Sequence, residues 1–174
     1  MANAIYLISK EDYDDTSKDR TTVSRLPLPF TDEEFKEATE HIKDPRVSDY
    51  ETCFEDYEID DNPDFEELNK FFKRVDKLSK VEIDHIETIY RARKDYYSFQ
   101  TTYDDAIDIL EKGAYIIYPC KDIERVTEIL VDEEFFGVIS DTLREYLDYE
   151  LLSKQLLNDG YIECSTGDVI KFID

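Results

Sequence analysis

The chain has 174 residues, with 44 Asp and Glu against 21 Lys and Arg, a formal charge of −23. So much charge of one sign excludes direct association with DNA or an anionic membrane, and it steers the chain towards basic surfaces, the largest of which belong to nucleic-acid-binding proteins. With 41% hydrophobic residues, 13 Tyr and 10 Phe, the chain can build a core, so its composition is not that of a disordered segment.

The order of elements predicts an α+β fold. Ala4–Ser9 reads as a strand, Lys10–Asp19 as an acidic loop, and Thr21–Phe30 as a β-rich stretch ended by Pro27 and Pro29. Thr31 with Glu34 forms a capping box that opens a helix to about Ile42, with Phe35 and Ala38 inward. Asp49–Ile59 is expected to be a third strand. After the acidic break at 60–64, Asp64 caps a helix over Phe65–Leu78 whose stripe is Leu68, Phe71, Phe72 and Val75. Ser79 with Glu82 opens the next helix, to about Ala92, with Val81, Ile83, Ile86, Ile89 and Tyr90 inward. Thr102 with Asp105 opens another, stopped at Gly113. Ala114–Pro119 reads as a buried strand. Lys121–Val131 reads as a helix with Ile123, Val126, Thr127 and Leu130 inward, and 132–140 as irregular. Tyr161–Ser165 and Asp168–Ile173 read as a closing hairpin. The expected organisation is three small subdomains in series: 1–60, β-rich with one helix; 61–113, helical; 114–174, α+β with the hairpin.

The segment 140–160 is unusual. Asp141, Glu145 and Asp148 fall at i, i+4 and i+7, which on one helix makes a carboxylate face. Leu143, Tyr146, Leu147 and Leu151 make an apolar stripe opposite. Tyr149, Leu152 and Leu156 make a second, which on a continuous helix lands near the acids. Either the helix breaks near Asp148, or one stripe faces the core and the other a partner.

Acids recur at helical spacing in Glu33, Glu37 and Glu40, in Asp104, Asp108 and Glu111, and in Glu124, Glu128 and Asp132. Strand alternation is expected to put Asp56, Glu58 and Asp60 on one face. Like charges at i, i+4 weaken a helix by about 0.2–0.5 kcal/mol a pair, so their recurrence points to a use other than stability. The span 61–115 is nearly balanced, and Lys70, Arg74 and Lys77 share a helix face there.

The residues for covalent chemistry are sparse. His41 and His85 have no nucleophile or ligand at a useful spacing, and four glycines leave no phosphate-cradling loop. Residues 56–67 have the acid spacing of a calcium loop, but Asp61 stands where glycine is required. Cys53, Cys120 and Cys164 form no Cys-x-x-Cys pair, so neither a zinc site nor a disulfide framework is expected. Tyr96, Tyr97 and Phe99 read as core packing rather than a stacking platform. No cofactor or metal and no enzymatic activity are expected. The N-terminal apolar run is too short for a signal peptide or a membrane span, which leads to an expected cytoplasmic location.

Leu143–Tyr149 (LREYLDY), followed by Leu152, Ser153, Lys154, Gln155 and Leu156 and then by Gly160, Tyr161 and Ile162, resembles the antirestriction motif of ArdA-type antirestriction proteins. Tyr146-Leu147-Asp148-Tyr149 matches the motif's Tyr-Ile-Asp-Tyr core, and Gln155 stands where the motif has an acid. Ile5–Leu7, Pro29-Phe30 with Asp32–Ile42, and Asp56–Ile59 with Phe65–Asn69 are similar to earlier parts of the family, in order. Phe71 or Phe72 stands where the family has Trp.

The resemblance implies an elongated, acidic, dimeric DNA mimic that occupies the DNA groove of type I restriction-modification enzymes. Such proteins come from conjugative elements and phages and protect incoming DNA. It also implies a dimer contact at or near the motif, for which Leu143, Tyr146, Leu147, Tyr149, Leu152 and Leu156 are the candidates. The phosphate-mimic candidates are the acids named above. Other readings of the same charge are inhibition of another DNA-binding defence enzyme, such as a CRISPR effector, and a regulatory adaptor for a basic protein surface.

Overall fold

The central strand of the first sheet, β1 (Asn3–Ser9), buries Ala4, Ile5, Leu7 and Ile8 completely. It pairs antiparallel with β2 (Ser24–Leu28) and β3 (Pro45–Glu51) in the order β2-β1-β3, with a register shift at Tyr6/Leu7. The computed structural model describes residues 3–15, 23–97, 100–120 and 122–173. The start of the predicted β-rich stretch at Thr21, together with Phe99 and Lys121, lies outside these.

The fold is α+β. Part of the expected acidic loop is helical: Ser9 caps α1 (Lys10–Asp14) by accepting from the Asp12 amide at 3.2 Å. The Thr31/Glu34 capping box forms and opens α2 (Asp32–Thr39), with Phe35 and Ala38 half-buried. Asp64 caps α3 (Phe65–Val75), whose stripe Leu68, Phe71, Phe72 and Val75 is buried.

The third strand ends at Glu51, so the strand expected over 49–59 is corrected. Phe54 turns inward to pack on Phe71, and Tyr57 stacks on Phe71 with ring centroids 4.8 Å apart. Burying two aromatic rings outweighs the weak preference of this stretch for a ladder.

The Ser79/Glu82 capping box opens α4 (Lys80–Tyr97), which runs five residues past the expected end. Ile86, Ile89 and Tyr90 are buried as expected, but Val81 is 61% exposed. Tyr96 is 55% and Tyr97 39% exposed, so neither is a core residue, although Tyr97 packs against Phe172. Thr102 and Asp105 cap α5 (Tyr103–Lys112), and Gly113 ends it in the left-handed region at φ 63°.

The second sheet has the order β4-β6-β5, from β4 (Tyr115–Tyr118), β5 (Tyr161–Glu163) and β6 (Val169–Phe172). β4 is therefore an edge strand, half-buried with Ile116 exposed, and not the buried strand its composition suggests. Over this sheet lie α6 (Ile123–Asp132) and α8 (Tyr149–Asn158), with α7 (Asp141–Arg144) between them in the chain. Ile123, Val126, Leu130, Leu156, Tyr161 and Val169 form the core. The buried hydroxyls of Thr127 and Ser153 meet at 2.8 Å across α6 and α8; one donates to the other, which in turn donates to a carbonyl of its own helix. Both polar groups are thus satisfied inside the packing.

The chain divides into two compact units, Met1–Ile83 and Asp84–Asp174, which do not coincide with the three expected subdomains. The middle helices are shared out between the two sheets. Asn69 of α3 bonds both backbone groups of Phe30. Thr88 of α4 donates to Asp168 at 2.9 Å, and His85 lies 3.0 Å from the Tyr115 hydroxyl. α3 is thus tied to the first sheet and α4 to the second, while α5 packs on α4 through the stack of Tyr103 on Tyr90, ring centroids 4.0 Å apart. No helix among the described residues is long and apolar enough to cross a membrane.

Candidate acidic docking surface

Three amphipathic helices each turn an apolar stripe inward and a row of carboxylates outward. On α2 the row is Glu33 and Glu37, continued by Glu40 at its C-cap. On α5 it is Asp104, Asp108 and Glu111, opposite buried Tyr103, Ala106 and Ile107. On α6 it is Glu124, Glu128 and Asp132, opposite buried Ile123, Val126, Thr127 and Leu130. Successive carboxylates in each row stand about one turn apart, about 4.5–6 Å along the axis. All nine residues are exposed.

The remaining six acids are also exposed, but two expected arrangements fail. Asp56, Glu58 and Asp60 lie in irregular backbone and form no strand face. They nevertheless alternate outward with half-buried Tyr57 and Ile59. Asp141, Glu145 and Asp148 do not share a helix. α7 stops at Arg144, Glu145 is its C-cap, and Asp148 caps α8 by accepting from the Leu151 amide at 2.9 Å. The helix break is set by that cap, because an Asp at the N-cap satisfies amides that a continuous helix would not leave open.

Some of the charge is already paired. Arg125 donates to Glu128, and Arg144 donates to Asp132 twelve residues away. The second pair was not legible in the sequence, because no helical spacing links its members. Among the described residues Glu33, Glu37, Glu58, Asp60, Glu124, Asp141 and Glu145 make no ion pair. Unit by unit, residues 1–83 hold 23 acids against 12 bases and residues 84–174 hold 21 against 9, leaving −11 and −12. The weakly acidic middle of the sequence is divided between two strongly acidic units.

Two carboxylates are tied to structure. The Thr31 amide and hydroxyl hold the Glu34 carboxyl below its ordinary value, and Thr102 does the same for Asp105. Depressed acids stabilise the fold above their ordinary values, and that contribution is lost as pH falls through the depressed value. The α5 N-terminus is therefore expected to loosen only below about pH 3.8, Asp105's ordinary value. In Asp105→Asn this acid-side loss is absent from melting curves taken between neutral and strongly acid pH.

The apolar residues of the 140–160 segment are distributed differently from the expected dimer contact. Leu156 is fully buried in the core, so it cannot meet a partner. Leu147, Tyr149 and Leu152 are half-buried. Of the first stripe, Leu143 is 59%, Tyr146 80% and Leu151 64% exposed. Val138, 83% exposed, precedes them in the chain.

Groups capable of chemistry are separated. His41 is exposed beside Glu40, and His85 bonds Tyr115. Burial, with Asp168 and Asp95, pushes the Cys164 thiol up to about 12, and burial also raises Cys120, so both stay neutral thiols near pH 7. Among the described residues no cluster of three or more His, Cys, Asp or Glu could hold a metal ion. The chain matches neither a protein-family model nor a curated protein.

Proposed function

We propose that this chain is a DNA-mimic inhibitor. Its acidic surface occupies the DNA-binding groove of a type I restriction-modification enzyme, in the cytoplasm of the host, and it acts without covalent chemistry. The observation that carries the reading is the set of outward carboxylate rows on α2, α5 and α6, in two units that each bear a charge of −11 or −12. A DNA groove gains most of its affinity from neutralised phosphates and released counterions. Carboxylates held on capped helices offer it similar charge without the cost of bending a duplex.

The reading includes a homodimer. The exposed apolar residues Leu143, Tyr146 and Leu151 are its proposed contact, because several large apolar side chains left in water along one short segment are suited to association.

The test is competition. Titrated against a labelled duplex bound to a type I methyltransferase core, the protein displaces the DNA, and displacement weakens steeply as salt rises. Duplex that stays bound at saturating protein removes the reading. Displacement that is indifferent to salt removes the phosphate-like mechanism.

A further inference from the structure

A groove of about 480 Å³ on the first unit has a different character from the acidic surface. Phe30, Phe35 and Phe65 form its wall as a ladder, with centroids 5.2 and 5.3 Å apart. Phe30 is 7% exposed and the other two are half-buried. The wall is held in place: Asn69 of α3, itself buried, accepts from the Phe30 amide at 2.8 Å and donates to its carbonyl at 2.9 Å. The volume is in the usual range for ligand sites, about 300–1,000 Å³.

The charge along the groove is ordered. On α3 the lining runs Glu66, Lys70, Lys73, at i, i+4 and i+7, and Asp32 at the start of α2 adds a second acid to the lining. Both lysines are exposed. The 3.7 Å pair of Lys70 with Glu67 joins two largely exposed side chains, so water and salt screen it. Two ammonium groups thus stand beside an aromatic wall on a unit whose net charge is −11.

We propose that this groove binds a partner-protein segment carrying one aromatic side chain, with carboxylates on one side of it. The ring packs against the phenylalanine ladder, where offset and edge contacts add to apolar burial. Glu66 repels the segment's acids at one end, and Lys70 and Lys73 attract them at the other. From Phe65 to Lys70 and Lys73 the helix rises by roughly 8 and 12 Å. An extended segment covers that in about two and four residues. The acids therefore lie two and four residues from the aromatic, on the same side of the strand. This site does not depend on the mimic reading.

The probe is fluorescein-labelled Gly-Phe-Gly-Asp-Gly-Glu-Gly, measured by anisotropy with the full chain. The expected result is saturable binding, weakened about tenfold or more by Lys70→Glu with Lys73→Glu, and similarly by Ser for Phe in the probe. Binding strengthens from low to physiological salt, because the Debye length falls from about 30 Å to about 8 Å and hides the remote acids more than the contacting lysines. That sign is opposite to the one expected at the acidic surface. Both lysines are exposed, so the charge reversal leaves the core packing untouched; the new like-charge pairs with Glu66 and Glu67 weaken α3 slightly, and binding is measured below the variant's own melting temperature. The proposal is overturned if no saturable binding occurs at millimolar protein, if the Ser probe binds as well, or if the charge-reversed chain does.

Discussion

Neutralising six outward acids, Glu33, Glu37, Glu111 and Glu124 to Gln with Asp104 and Asp108 to Asn, is expected to abolish DNA displacement at physiological salt while leaving the fold intact. Each phosphate-like contact contributes about 0.9 to the slope of log affinity against log salt. Losing six engaged contacts lowers that slope by roughly five. A parent with six to ten contacts loses about 10³–10⁵ in affinity between 50 and 200 mM salt, and the variant loses far less.

Stability should barely move. Removing the like-charge pairs Glu33/Glu37 and Asp104/Asp108 gains about 0.2–0.5 kcal/mol each. Glu33, Asp104 and Glu124 sit in first turns, where an acid contributes about 0.3–1 kcal/mol each through the helix dipole. The two effects oppose each other. A variant that displaces DNA as well as the parent would rule out these rows as the mimic surface.

The second large effect separates core from contact in the 140–160 segment. Leu156→Ala is expected to destabilise the second unit by about 2–5 kcal/mol, the cost of a cavity at a fully buried leucine. It should leave the mass of the folded protein unchanged. Leu143→Asp with Tyr146→Asp does the reverse: both side chains are exposed, so the melting temperature holds and the mass in analytical ultracentrifugation falls to that of a monomer. A folded dimer in that double variant would remove the seam, and a Leu156→Ala protein as stable as the parent would contradict its place in the core.

The sequence by itself determined where four of the eight described helices begin. Thr31, Asp64, Ser79 and Thr102 all cap as their local patterns predict, because a cap is an exchange of hydrogen bonds within four residues. It also determined which sides of α3 and α6 are buried, since a 3.6-residue period needs no knowledge of the partner. All fifteen proposed mimic acids are exposed, because taking a charged carboxylate out of water is costly.

Only the tertiary structure decided the rest, because it depends on contacts between distant residues. The rings of Phe54 and Tyr57 found Phe71 and ended the third strand early. The middle helices were divided between two sheets by bonds such as Asn69 to Phe30 and Thr88 to Asp168. In the 140–160 segment the sequence showed one apolar stripe too many. Packing of α8 on α6 chose Leu156 for the core and left Leu143, Tyr146 and Leu151 in water. Periodicity marks that a stripe exists, but which of two stripes is buried is set by the surface it meets.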